Sequence, residues 1–213
     1  MRRVARLGSW LLVFAAAWPR TAHAANPVTP VPTFALAITI VEESGKPVRS
    51  TAWVDEQIAN ARRLYDPIGV QLRWTIDAPL DARFSNLVTR ADRDNVGEAT
   101  FVEGAINVAI VTSLGDVDEP GRLRMGVCWQ SRVDPKKRFL VLASTARPTV
   151  LAHELGHFFG NGHSTVVNNI MSYSRGEGDV FFDASQIAIV KQTAAGYLTR
   201  GVLVPAPPAR LWP

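Results

Sequence analysis

The residues best suited to chemistry in this 213-residue chain lie together at 153–163, His153-Glu154-Leu155-Gly156-His157-Phe158-Phe159-Gly160-Asn161-Gly162-His163. Residues four apart on a helix stand one above the other, so His153 and His157 can address a single metal ion. Glu154 is one step further round, where a carboxylate reaches water beside the ion without ligating it. Gly160 can end the helix in a left-handed turn that a Cβ would resist. The chain then doubles back and brings His163 to the same point. Three imidazoles and a water make an open, four-coordinate zinc site of the catalytic kind. The competing reading is a core helix whose histidines satisfy nearby carbonyls. Three histidines at these spacings, with the Glu and the Gly in place, weigh against it, and the only other histidine is His23.

The residue order fits HExxHxxGxxH and resembles the signature of the metzincin metalloproteases. Met171, within Asn169-Ile170-Met171-Ser172-Tyr173, is similar in type and spacing to the Met-turn that those enzymes place beneath the zinc. Tyr173 resembles the tyrosine that astacins and serralysins use as an additional, displaceable zinc ligand; the alternative is a packed tyrosine that never touches the metal. Ser164 and the step from His163 to Met171 look more like matrix metalloproteases. Those proteases also carry a structural zinc built largely from histidine, and no spare histidine exists here for one.

The resemblance implies an α+β metzincin-like zincin catalytic domain, a mixed five-stranded twisted sheet with three helices, and the pattern along the chain agrees. Phe34 to Glu43 reads as a first strand. Ser50 or Thr51 caps a helix running to about Asp66, with Val54, Ile58, Ala61, Leu64 and Tyr65 on one stripe. Val70 to Ile76 alternates as a second strand, and Asp77 to Glu103 has no clear period. Further strands are expected at Ala105–Thr112, Arg124–Gln130 and Phe139–Ser144. The motif helix spans about Pro148–Phe159, and a last helix runs from a cap at Asp183 to Leu198.

Residues 1–24 carry Arg2, Arg3 and Arg6, a short apolar run and Ala22-His23-Ala24, which together read as a secretory signal peptide cut after Ala24. The formal charge of +4 equals the four arginines of that segment, so the remaining chain is neutral. Nothing in its charge suggests nucleic acid, and no later stretch suits stable membrane insertion. The expected organisation is 1–24 signal peptide, 25–204 catalytic domain and 205–213 proline-rich tail. Cys128 is the single cysteine, which excludes an intrachain disulfide and reads as a half-buried strand residue. Lys136-Lys137-Arg138 reads as a solvated turn.

The function expected is that of an exported zinc endopeptidase, secreted or periplasmic and monomeric, acting on a peptide or protein substrate. Zn²⁺ is held by His153, His157 and His163, Glu154 is the general base, and Tyr173 helps at the oxyanion. Strand 124–130 forms the cleft rim, Ser174–Phe182 walls the pocket after the cut, and Arg175 is a candidate to tune it. Asp116, Asp118 and Glu119 read first as simple solvated acids, with Ca²⁺ the weaker alternative there. Ala25 to Thr33 is too short for a folded prodomain, so activity on export or restraint by a separate inhibitor is expected. Two other readings stay open: a catalytically silent peptide-binding module, and a zinc hydrolase of a cell-wall amide bond.

Overall fold

Runs of β-branched and apolar residues pair into one sheet made of β1 (Thr33–Ile40), β2 (Gln71–Ile76), β3 (Ile106–Val111), β4 (Gly126–Gln130) and β5 (Arg138–Ala143). Their spatial order is β2-β1-β3-β5-β4. All neighbours are parallel except β4, which runs antiparallel to β5 at one edge. This computed structural model describes residues 32–206; the expected signal peptide and the tail beyond 206 lie outside the described residues. Among the described residues no helix is long and apolar enough to cross a membrane.

β3 is buried at every position, as a strand covered on both faces must be. One face sends Leu36, Ile38, Ile110 and Leu142 into a core shared with α1 (Thr51–Tyr65) and α3 (Val150–Phe158). The other face buries Ala109, Val111, Phe139 and Val141 against Phe84, Leu87 and Val96. α1 is capped by the Ser50 side chain and buries Val54, Ile58, Ala61 and Tyr65. A final helix, α4 (Ala184–Thr199), opens on a capping box between Asp183 and Gln186.

Three helices are expected from the sequence, and the described residues contain four. The addition is α2 (Arg90–Thr100), inside the stretch that shows no clear period. It presents one buried apolar side chain, Val96, and carries Gly97, a poor helix former. Gly97 is there for contact: a Cβ would come within 2.2 Å of the Phe139 ring. One sequence signal for α2 does exist, the capping box of Thr89 and Asp92. The tail expected from residue 205 begins docked, because Pro205 bridges Phe34 and the Ala206 N–H donates to Thr33 O at 2.7 Å.

Candidate metal and catalytic site

α3 carries His153, Glu154 and His157, with the first two buried and the third half-buried. Its first turn lacks a side-chain cap at Thr149. Instead Gln57, buried on α1, accepts from Leu151 N–H at 3.1 Å and donates to Arg147 O at 2.8 Å. The Tyr65 hydroxyl donates to Ala152 O at 3.1 Å. Helix α1 thus fixes the register of the site helix through two polar side chains. Beyond Phe158 the chain turns at Gly160, whose φ of +95° is left-handed as expected, and Asn161 N–H closes on Gly156 O at 2.9 Å.

The turn brings in His163. The ligating nitrogens of His153, His157 and His163 all lie within 4.8 Å of one another, the only such group of metal-binding side chains among the described residues. His157 Nε2 is 3.2 Å from His153 Nε2 and 3.1 Å from His163 Nε2. Nδ1–H of His153 donates to Ile170 O at 2.7 Å, and Nδ1–H of His157 donates to Asn161 O at 2.8 Å. These bonds select the tautomer that leaves each Nε2 lone pair directed inward. Burial lowers all three imidazoles and pushes His153 down to about 4, which keeps them neutral. Donors around tetrahedral zinc, at Zn–N distances of about 2.0–2.1 Å, stand about 3.3 Å apart. The donor set therefore fits zinc.

Glu154 points away from the core toward β4. A Cβ on Gly126 would meet its Oε1 at 2.8 Å, so Gly126 leaves the room that this carboxylate occupies. Burial pushes the Glu154 carboxyl up to about 8, against the pull of the Cys128 backbone N–H bonded to it. A group poised there can take up and hand on a proton near neutral pH. Cys128 itself is half-buried in β4, as expected, and burial pushes its thiol up to about 11. Such a thiol is unreactive.

Met171 is fully buried, and its sulfur packs against Gly156 so closely that a Cβ there would come within 2.2 Å. Tyr173 is 69% exposed, yet its hydroxyl is 2.7 Å from His163 Nε2. The turn between them rests on residues the sequence does not advertise. Asn169 accepts from Met171 N–H at 2.9 Å and exchanges side-chain bonds with Gln186 at 2.8 and 3.1 Å. Arg175, a candidate to tune the pocket, instead turns its guanidinium onto the carbonyls of Asn169, Ile170, Ser172 and Ser174. Asn168, at φ +62°, accepts from Gly176 N–H and donates to Glu177 O, folding the next loop back.

Two hollows flank Glu154. One, of about 460 Å³, is lined by Leu123, Met125, Val150, Tyr173 and Val180. The other, of about 520 Å³, runs along β4 past Trp129 and Arg138. The acids considered for calcium face arginines: Asp116 pairs with Arg124 at 2.6 Å, Asp118 with Arg90, and Glu119 with Arg122 at 2.7 Å. Nor is Lys136-Lys137-Arg138 a wholly solvated turn. Lys137 pairs with Glu98, and Arg138 is half-buried against Tyr197 and Phe158 O.

No family model matches the sequence, and no curated protein matches it. Solved structures do. Mature mirolysin from Tannerella forsythia, in complex with a cleaved peptide, superposes with a TM-score of 0.58 at 9% identity, over 83% of this chain and 100% of that one. Archaemetzincin from Methanopyrus kandleri gives 0.53 at 16% identity, over 79% and 99%. Metalloproteinase-II from Bacteroides fragilis gives 0.54 at 14% identity, over 78% of this chain but only 54% of that one. This chain has the metzincin fold. Here the edge strand β4 and the site helix α3 meet at Gly126 and Glu154.

Proposed function

We propose that the protein is a zinc-dependent endopeptidase. The observation that carries this reading is the convergence of three neutral imidazole nitrogens beside a buried carboxylate, at the rim of an open-edged strand. His153, His157 and His163 would hold the metal. Zinc, when bound, supplies a Lewis acid that acidifies water and polarises a carbonyl. Glu154 accepts the proton of the attacking water and delivers it to the departing amine. Tyr173, with its hydroxyl at the cluster and its ring exposed, is free to turn and donate a hydrogen bond to the oxyanion. β4 offers its unpaired edge to an extended peptide, a recognition mode that relies on main-chain bonds. The apolar hollow beside Val180 takes the side chain after the cut.

In this reading residues 1–24 direct export, and the mature enzyme is active on release or held by a separate inhibitor. Metal analysis of the purified chain, paired with casein or peptide-library cleavage by wild type and Glu154→Ala, tests the proposal. One zinc per chain, chelator-sensitive cleavage and its loss in the variant are expected. A folded protein that binds no zinc overturns it.

A further inference from the structure

We propose that the arm of the cleft along β4 recognises acidic side chains of the substrate through Arg93 and Arg138. This deepens the endopeptidase reading and rests on it. Four arginines line this arm. Two are neutralised in place, Arg124 by the buried Asp116 and Arg90 by Asp118. Arg93 and Arg138 have no carboxylate within 4.0 Å among the described residues. Asp94, next to Arg93 in sequence, is occupied by Trp129 Nε1–H at 2.8 Å and Arg132 N–H at 3.0 Å.

Arg93 is only 3% exposed. Its guanidinium lies 4.8 Å from the Trp129 ring and donates to Gly115 O at 2.7 Å, while its Nε has no acceptor. Arg138 donates to Phe158 O at 3.5 Å and to the Tyr197 hydroxyl at 3.4 Å, and its Nε also has no acceptor. Arg93 is withdrawn from water and Arg138 is half-buried, and both are offered only neutral acceptors, which leaves a substrate carboxylate as the strongest partner available. The hollow on the other side of Glu154 differs, with Leu123, Met125, Val150 and Val180 along it.

The two arginines also suit a bound strand. Met125 O and Ser131 N bond to the β5 side, so by alternation Gly126, Cys128 and Gln130 turn their backbone groups to the outer edge, where Glu154 holds the Cys128 N–H. Val127 and Trp129 pack with the core on the α2 face of the sheet, and Cys128 packs with the core on the α3 face. Arg93 belongs to the first face and Arg138 to the second. A peptide paired along this edge sends successive side chains to opposite faces, one toward each guanidinium.

The test uses the full zinc-loaded chain and a peptide set in which Asp or Glu is exchanged for Asn or Gln at each position near the cut. Wild type should prefer the acidic member about tenfold or more in kcat/KM on the side of the cut opposite the apolar hollow. Arg93→Gln and Arg138→Gln should each collapse that ratio toward one, at different positions. Arg93→Lys, which keeps the charge, and the half-buried Arg138 keep the test open if Arg93→Gln fails to fold. Binding of fluorescent versions to Glu154→Gln provides a readout independent of turnover. Cleavage without acid preference overturns this inference and leaves the peptidase standing. Acid-selective binding without any cleavage by wild type does the reverse, and neither binding nor cleavage sinks both.

Discussion

The helical half of the site and its loop half are held by different physics. His153, Glu154 and His157 stand on a helix whose Leu151, Ala152, Leu155 and Phe158 are buried in the main core. Spacing alone aligns them, and core packing holds the helix in place. His163, Met171 and Tyr173 lie in a stretch with no regular element between α3 and α4. There a few polar side chains, Asn168, Asn169, Arg175 and Gln186, satisfy the backbone groups that a helix would have satisfied itself. A ladder spreads its stability over many equal bonds, whereas this loop concentrates it in a few side chains, each costly to lose.

The largest effect should come from the helical half. Glu154→Gln is expected to lower kcat/KM by about 10² to 10⁴-fold while zinc content stays at one per chain. Next comes the seam between the halves. Gly156→Ala must displace the Met171 sulfur, and overpacking of this kind costs about 1–3 kcal/mol. Thermal unfolding should show the fall, and an unchanged midpoint would mean the seam is softer than described.

In the loop half, Asn169→Ala strands the Met171 N–H and one end of Gln186, a loss of about 1–3 kcal/mol at buried groups. The contrast predicts where it appears: hydrogen exchange should quicken in 164–182 before it quickens in α3 or the sheet. Equal acceleration in both halves would erase the distinction. Removing metal with a chelator should loosen the same loop first, because one of the three proposed ligands, His163, is anchored there and two are on the helix.

The smallest effect is a control outside both halves. The Asp118 N–H, and then Arg124 and the Glu119 N–H, hold the Asp116 carboxyl below the usual carboxylate range. A depressed folded-state value gives stabilisation that is present above the unfolded pKa of about 4 and is lost as pH falls through the folded value. Acid unfolding of Asp116→Asn should therefore be less steep below about pH 4 than that of wild type. Equal slopes would remove Asp116 from the acid response.

The same division explains what the sequence makes legible. The five strands, α1, α3 and α4 are marked by apolar runs, apolar periods or the motif itself, and their ends fall within a few residues of the expected ones. The zinc motif is legible because its residues share one helix and one turn. α2 is not, since its packing depends on Gly97 lying close to Phe139, a contact between segments far apart in the chain. Arg93 and Trp129 are silent for the same reason: their meeting depends on how α2 lies beside β4. Asn169 and Gln186 lie 17 residues apart, and no spacing rule links an amide in a turn to one at a helix start. Arg175 shows the converse, a loop cation that looks free to meet substrate but spans four carbonyls.

The docking of Pro205 and Ala206 against Phe34 and Thr33 reaches beyond catalysis. The two ends of the described domain are neighbours in space, so a short linker can join them and fresh ends can be opened elsewhere. The exposed turn around Lys136 is a natural place for that cut. A chain rearranged in this way would keep every contact described above while placing β5 and the site helix ahead of β1 and β4 in the order of synthesis. For this architecture, the order of the segments along the chain reads as history rather than necessity.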